Sequence, residues 1–251
     1  MVDTHCHLFL IDTEPSVVVE TARAAGVDRV ICVGIDPETS ARSLELADSI
    51  AGVFATAGMH PHDASRLDAP AGARIEELLH DPRVVAVGEC GLDYYRMHSP
   101  VEDQIRALKL HIALSNESGK PMIVHVRDAW EDALRVLDEG SAERVVFHCF
   151  SGDARIARAC VERGYWLSFA GNVTYPKNEH LRDAARTVDN DRIMVETDSP
   201  FLAPQRLRGR DNEPANVVDV IDAIARARGT DVANVVDLTG RNARAAFQGI
   251  G

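Results

Sequence analysis

The sequence predicts a (β/α)8 TIM barrel, and three observations predict it. Eight short runs rich in Val, Ile and Ala alternate with longer amphipathic patterns along the chain. Its 251 residues are the usual size for eight such units. The first run ends in His-Cys-His-Leu, where an open doubly wound sheet usually carries a glycine-rich phosphate turn. Residues 1–251 are therefore expected to form one α/β barrel domain with extra helices at the C-terminal end.

The apolar runs place strands at 2–7, 29–35, 53–59, 84–89, 121–125, 144–148, 165–169 and 192–196. Their continuous apolar character suits parallel strands covered by helices. Helical patterns fill the intervals at 16–25, 37–50, 75–80, 100–118, 129–137, 154–163 and 179–188. Ser99-Pro100-Val101-Glu102 reads as a capping box with proline at the first helical position. Gly26, Gly119, Gly140 and Gly164 follow helical segments, where a left-handed residue is often needed. After the eighth strand, residues 199–214 are rich in Pro and Arg. Two helices, 215–228 and 231–247, close the chain. No internal repeat, low-complexity tract or linker interrupts the pattern.

The net charge is −12, from 27 basic and 39 acidic residues. That argues against coating nucleic acid by bulk charge, although metal ions and a few arginines supply positive charge at one place. The five cysteines include no CxxC pair and read as reduced thiols. No secretory signal pattern opens the chain, and no apolar run approaches a membrane span. A cytoplasmic protein with no membrane association and no obligate protein partner is expected.

Barrel chemistry gathers at the carboxyl ends of the strands. Strand one ends in His5-Cys6-His7. Residues i and i+2 of a strand share a face, so both imidazoles point one way and Cys6 the other. Strand three runs into His60-Pro61-His62, and strand four into Glu89-Cys90-Gly91-Leu92-Asp93. Strand five ends at His125, with Arg127 next along. Strand six ends at His148, and strand eight runs into Glu196-Thr197-Asp198. Imidazoles and carboxylates converging on one mouth suit a divalent cation such as Zn, Mn or Mg. Four histidines with two acids exceed the demand of one tetrahedral ion, and two ions sharing a bridging carboxylate account for the number better. Such a pair clamps the attacking and leaving oxygens of a phosphodiester. Interior strand ends are otherwise a costly place for so many polar groups.

Alternation turns Cys6, Cys90 and Cys149 away from that mouth, as small buried hydrophobes. His60 has a substrate-side position. Arg206, Arg208 and Arg210 after strand eight are candidates for a clamp on an anionic substrate, and Arg127 and Lys177 are similar candidates. Asn212-Glu213-Pro214 reads as a turn into a helix. His80, His98, His111 and His180 fall in helices or connections and are expected in solvent.

With these residues in place, the sequence resembles the TatD family of metal-dependent hydrolases, a branch of the amidohydrolase-like barrels. The motifs are DTHCHL (3–8), GMHP (58–61), VAVGECGLDYY (85–95), PMIVHVRDA (121–129), VFHCFSG (146–152), LSFAGNVTY (167–175), VETDSPFLAP (195–204), RGRDNEP (208–214) and GRNARAAF (240–247). The resemblance implies a barrel holding two divalent metal ions. One ion would take His5, His7, Glu89 and Asp198, and the other Glu89, His125 and His148, with Glu89 bridging. It implies hydrolysis of DNA phosphodiesters, often from the 3′ end. Asp198, a ligand able to accept a proton, is expected to orient and deprotonate the attacking water. An ester or amide hydrolase using the same metals, such as a D-aminoacyl-tRNA deacylase or lactonase, is the alternative, and a non-catalytic metal-binding barrel the third. The chain departs from the family pattern at Phe9-Leu10-Ile11, Pro176 and Gln205-Arg206-Leu207, all at the substrate mouth.

Overall fold

A computed structural model describes all 251 residues. Eight parallel strands pair in chain order: β1 (Val2–Cys6), β2 (Arg29–Cys32), β3 (Val53–Ala57), β4 (Val84–Asp93), β5 (Met122–Arg127), β6 (Val145–Phe147), β7 (Trp166–Phe169) and β8 (Ile193–Val195). Helices α1 (Pro15–Ala24), α2 (Pro37–Ser49), α3 (Ala69–Leu79), α4 (Val101–Ser118), α5 (Trp130–Glu139), α6 (Ala154–Val161) and α7 (Glu179–Thr187) fill the crossovers, and α8 (Val217–Arg228) and α9 (Val232–Ala246) follow β8. This is the expected (β/α)8 barrel with extra C-terminal helices. No helix is long and apolar enough to cross a membrane.

The ring closes between β1 and the chain just beyond β8. The Asp198 amide donates to the His5 carbonyl at 2.9 Å, and the His7 amide to the Ser199 carbonyl at 2.7 Å. Closure therefore sets Asp198 beside the two histidines.

Two apolar clusters divide the core. One takes Val2, Ile31, Val85, Ile123, Val146, Trp166 and Met194 from the strands, with Ala243, Ala246 and Phe247 from the α9 end. No residue of α1–α8 joins it, so it is the barrel interior. Arg144, just before β6, donates to the carbonyl of Ala246, and Arg29, opening β2, to that of Ile250. The α9 end therefore plugs the amino-terminal mouth of the barrel. The larger cluster fills the layer between strands and helices.

Two strand irregularities aim the polar residues. β1 carries one extra residue against β2 between Asp3 and Cys6, and β4 one against β5 between Val87 and Cys90. Each is a bulge, which reverses the alternation beyond it. Val2 thus faces the interior while Cys6, of the same parity, packs outward. Glycines permit the β4 distortion. A Cβ on Gly88 (φ 133°) would lie 2.5 Å from the Ile123 carbonyl oxygen, and one on Gly91 (φ 137°) 2.0 Å from that of His125.

The structure corrects several local expectations. β4 runs four residues past Glu89. α3 begins at Ala69 rather than near Ile75, because the Asp68 side chain caps the Ala71 amide at 2.9 Å. Ser99 does not cap α4. Its hydroxyl donates to the His62 carbonyl at 2.7 Å and accepts from the Ser65 amide, tying the loop after β3 to the helix. Gly140 has a φ of −87° and needs no left-handed turn. His111 is fully buried, not solvated. Its Nε2 accepts the Met59 amide at 3.0 Å and its Nδ1 donates to the Ala107 carbonyl at 2.7 Å.

Candidate metal centre

Glu89 stands at the middle of the carboxyl-terminal mouth, and its side chain is almost completely buried. Its two oxygens face different partners. Oε2 lies 3.5 Å from His5 Nε2 and 3.9 Å from His7 Nε2. Oε1 lies 2.8 Å from His148 Nε2, 3.3 Å from His125 Nδ1 and 3.4 Å from His60 Nε2. Asp198 Oδ1 completes the first group, 3.8 Å from His5 and 3.7 Å from His7. The six residues expected as ligands are thus brought together from five strand ends.

The spacing of the nitrogens fits metal ligation. His5 and His7 Nε2 are 3.3 Å apart, and His125 Nδ1 and His148 Nε2 are 3.1 Å apart. Ligands at about 2.0–2.1 Å from a tetrahedral ion sit roughly 3.3 Å from one another. Three of the five buried side-chain atoms that lack any hydrogen-bond partner also belong to this cluster: His5 Nδ1, His125 Nε2 and Glu196 Oε2. Buried polar groups rarely stay unpaired without a functional reason.

Polar groups on the far side of four of the rings sort those histidines by tautomer. His7 Nδ1 lies 2.8 Å from the Val33 carbonyl, so it carries the proton and leaves Nε2 as a lone pair. His148 Nδ1 faces Glu196 Oε1 at 3.3 Å, which likewise frees its Nε2. His125 Nε2 makes no hydrogen bond, but the carboxylate facing it, Asp93 Oδ2 at 3.4 Å, favours a proton there and a free Nδ1. His60 is the opposite case. Its Nδ1 accepts the His62 amide at 3.1 Å, so the neutral ring is protonated at Nε2, the atom that faces Glu89. His60, Glu89 and His125 are close enough to form a ligand set, but that tautomer makes His60 a hydrogen-bond donor into the site.

Electrostatics follow from this packing. Burial opposes ionisation of Glu89, yet His148, His60 and His125 hold its carboxyl well below the usual range. Burial likewise opposes ionisation of Asp198, and the His7, His148 and His5 rings outweigh it. Burial pushes the His60 pKa down to about 4, consistent with a neutral ring.

Two carboxylates behind the rings went unassigned in the sequence. Asp93 is buried against both His125 and His62, the latter at 2.9 Å, and accepts the Tyr95 and Arg96 amides. Glu196 is buried behind His148 and also accepts the Cys149 amide at 2.7 Å. Both appear in the strand-end motifs, but nothing in the pattern separates an orienting carboxylate from a ligand. Asp3 is a third buried carboxylate. It accepts the Thr197 amide and hydroxyl at 2.9 and 2.6 Å, joining β1 to the end of β8. Burial pushes its pKa up to about 8.

A cavity of about 260 Å³ opens over the cluster, lined by His7, Leu10, Ile35, His60, His62, Asp63, Glu89, His125, His148, Cys149, Asp198 and Phe201. Cys149 corrects an expectation. Cys6 and Cys90 are buried beneath the sheet as alternation requires, but Cys149 has φ 42° and lines the cavity. β6 has already ended at Phe147, so the alternation no longer applies. Arg127, Lys177 and Arg208 stand outside the lining. Arg127 stacks on Tyr95 at 3.8 Å and Arg208 on Tyr175 at 4.3 Å, while Lys177 is exposed. Arg206 is engaged by Asp219 at 2.7 and 2.8 Å. Asn212 is buried, not a simple turn residue, and holds the Thr197 and Phe201 carbonyls at 2.9 Å each.

A parallel barrel with a histidine–carboxylate cluster at its carboxyl mouth defines the class of metal-dependent barrel hydrolases. The profile of TatD-related DNases matches residues 2–248, and the chain belongs to that family. It is 38% identical over 250 residues to the uncharacterised metal-dependent hydrolase YabD of Bacillus subtilis, covering 98% of each chain. It is 35% identical over 238 residues to the 3′-5′ ssDNA/RNA exonuclease TatD of Salmonella typhimurium, covering 92% of each. Among solved structures, the TatD homologue YJJV of Escherichia coli superposes with a TM-score of 0.94 at 26% identity, over 98% of this chain and 97% of that one.

Proposed function

We propose that the protein is a divalent-metal-dependent nuclease that removes nucleotides from the 3′ ends of single-stranded DNA or RNA. The carrying observation is the division of Glu89, one oxygen toward His5, His7 and Asp198 and the other toward His125 and His148. This division supports a reading in which Glu89 would be shared between two ions. The direction of attack and the preference for unpaired strands rest on the likeness to the Salmonella exonuclease.

His5, His7, Glu89 and Asp198 would hold one ion and Glu89, His125 and His148 the other, with Zn, Mn or Mg suited to the mixed donors. When bound, the ions lower the pKa of a water to about 7 and polarise a phosphoryl oxygen. Asp198, ionised and facing the cavity, accepts the proton of the attacking water. His60 donates from Nε2 to a non-bridging phosphate oxygen as charge builds there. Asp93 and Glu196 hold His125 and His148 in the tautomers that direct a lone pair inward. Arg127, Lys177 and Arg208 attract phosphates beyond the scissile one.

The test is hydrolysis of single-stranded oligonucleotides labelled at one end or the other, after chelation and after metal is restored. Shortening from the 3′ end that stops with chelator and returns with metal is expected. Cleavage indifferent to chelator, or hydrolysis of an aryl ester with none of an oligonucleotide, contradicts the reading.

A further inference from the structure

Seven large apolar side chains are exposed on this protein, and of these only Leu10 and Phe201 line the cavity over the cluster. Leu10 is 41% exposed and Phe201 51%. Leu10 follows β1 and Phe201 follows β8, the two strands between which the barrel closes. His60, His62 and Asp63, which follow β3, make another part of the lining polar. The Phe201 ring centroid lies 6.0 Å from that of His7.

The main chain under Phe201 is fixed. Its amide donates to the Asp198 carbonyl at 2.8 Å, and its carbonyl accepts from the buried Asn212 side chain at 2.9 Å. Asn212 also holds Thr197, next to Asp198, so the ring and the Asp198 carboxylate are carried by one braced loop. A half-exposed aromatic ring stabilises the fold less than a buried one, because water keeps part of its surface. It offers a flat apolar surface to whatever occupies the cavity.

We infer that Phe201 is the stacking platform for the base of the terminal nucleotide whose phosphate lies over the cluster. The inference rests on the nuclease reading above. Stacking on an aromatic ring needs a base with one face free, and every base has such a face, so the platform tolerates sequence. A terminal base that is paired and stacked within a duplex does not present that face. The platform therefore selects an unpaired end at the residue adjoining the metal centre.

The test compares kcat/KM for two single-stranded oligonucleotides, one ending in an ordinary nucleotide and one in an abasic residue, with wild type, Phe201→Ala and Phe201→Trp. Wild type is expected to favour the base-bearing end by about 5- to 140-fold, the span of base–aromatic stacking. The ratio falls toward one in Phe201→Ala and persists in Phe201→Trp. A wild type that cleaves both ends equally, or a Phe201→Ala variant that keeps the full ratio, overturns the platform and leaves the nuclease reading intact. A wild type that cleaves neither oligonucleotide with metal present overturns both.

Discussion

At the scale of single residues, the site is organised by what stands behind each histidine. A carbonyl behind His7, Glu196 behind His148 and Asp93 near His125 turn lone pairs inward, whereas the His62 amide turns a proton inward on His60. Removing an orienting carboxylate typically costs 10–100-fold in metal affinity or activity. Asp93→Asn is therefore expected to weaken metal binding by about that factor, read by titration calorimetry. An unchanged affinity contradicts the orienting role. His111 gives a second prediction, about stability. The ring is neutral and enclosed, and burial pushes its pKa down to about 4. In the unfolded chain it takes a proton near pH 6.5. The unfolded state then binds more protons between these values, so its contribution is complete above about pH 6.5 and shrinks as the pH falls toward 4. The loss amounts to roughly 3 kcal/mol. Denaturant unfolding across that window is expected to show a shallower pH dependence for His111→Gln than for wild type. Equal slopes contradict it.

At the scale of elements, most of the fold was legible and the aiming of its side chains was not. Eight apolar runs alternating with helices are a consequence of burying parallel strands on both faces, and that pattern survives in the sequence. The bulges in β1 and β4 do not. Parity counted from Val2 turns His5 and His7 outward, and only the extra residue between Asp3 and Cys6 brings them inside. The HxH pair was readable because His5 and His7 face the cluster together, whatever parity is counted from Val2. Cys149 was misplaced because a left-handed residue after β6 leaves no trace in composition. His111 was misplaced because its partner, the Met59 amide, lies 52 residues away. The ligand set was legible through the motifs, while Asp93 was not, because β4 extends past the strand end that its apolar run suggests. The plug formed by the end of α9 is an element-scale claim that can be tested. Phe247 is fully buried in the barrel interior cluster. Phe247→Ala is expected to destabilise the fold by about 3–5 kcal/mol, measured by denaturant unfolding. A change under about 1 kcal/mol contradicts the plug.

At the scale of the whole molecule, the barrel returns residues 5, 89, 125, 148 and 198 to one rim, where closure between β1 and the post-β8 loop completes the cluster. The chain as a whole carries a net charge of −12. Four imidazoles and two carboxylates held this tightly favour the native state more when cations bind it, by RT ln(1 + [L]/Kd). Chelation is therefore expected to lower the thermal midpoint, and restored metal to raise it again. The central claim is that Glu89 bridges two ions, and counting metal per chain by elemental analysis tests it most directly. Wild type saturated with a divalent metal is expected to retain two ions per chain, and folded Glu89→Ala fewer than two. One ion per wild-type chain, or two retained by Glu89→Ala, would contradict the account.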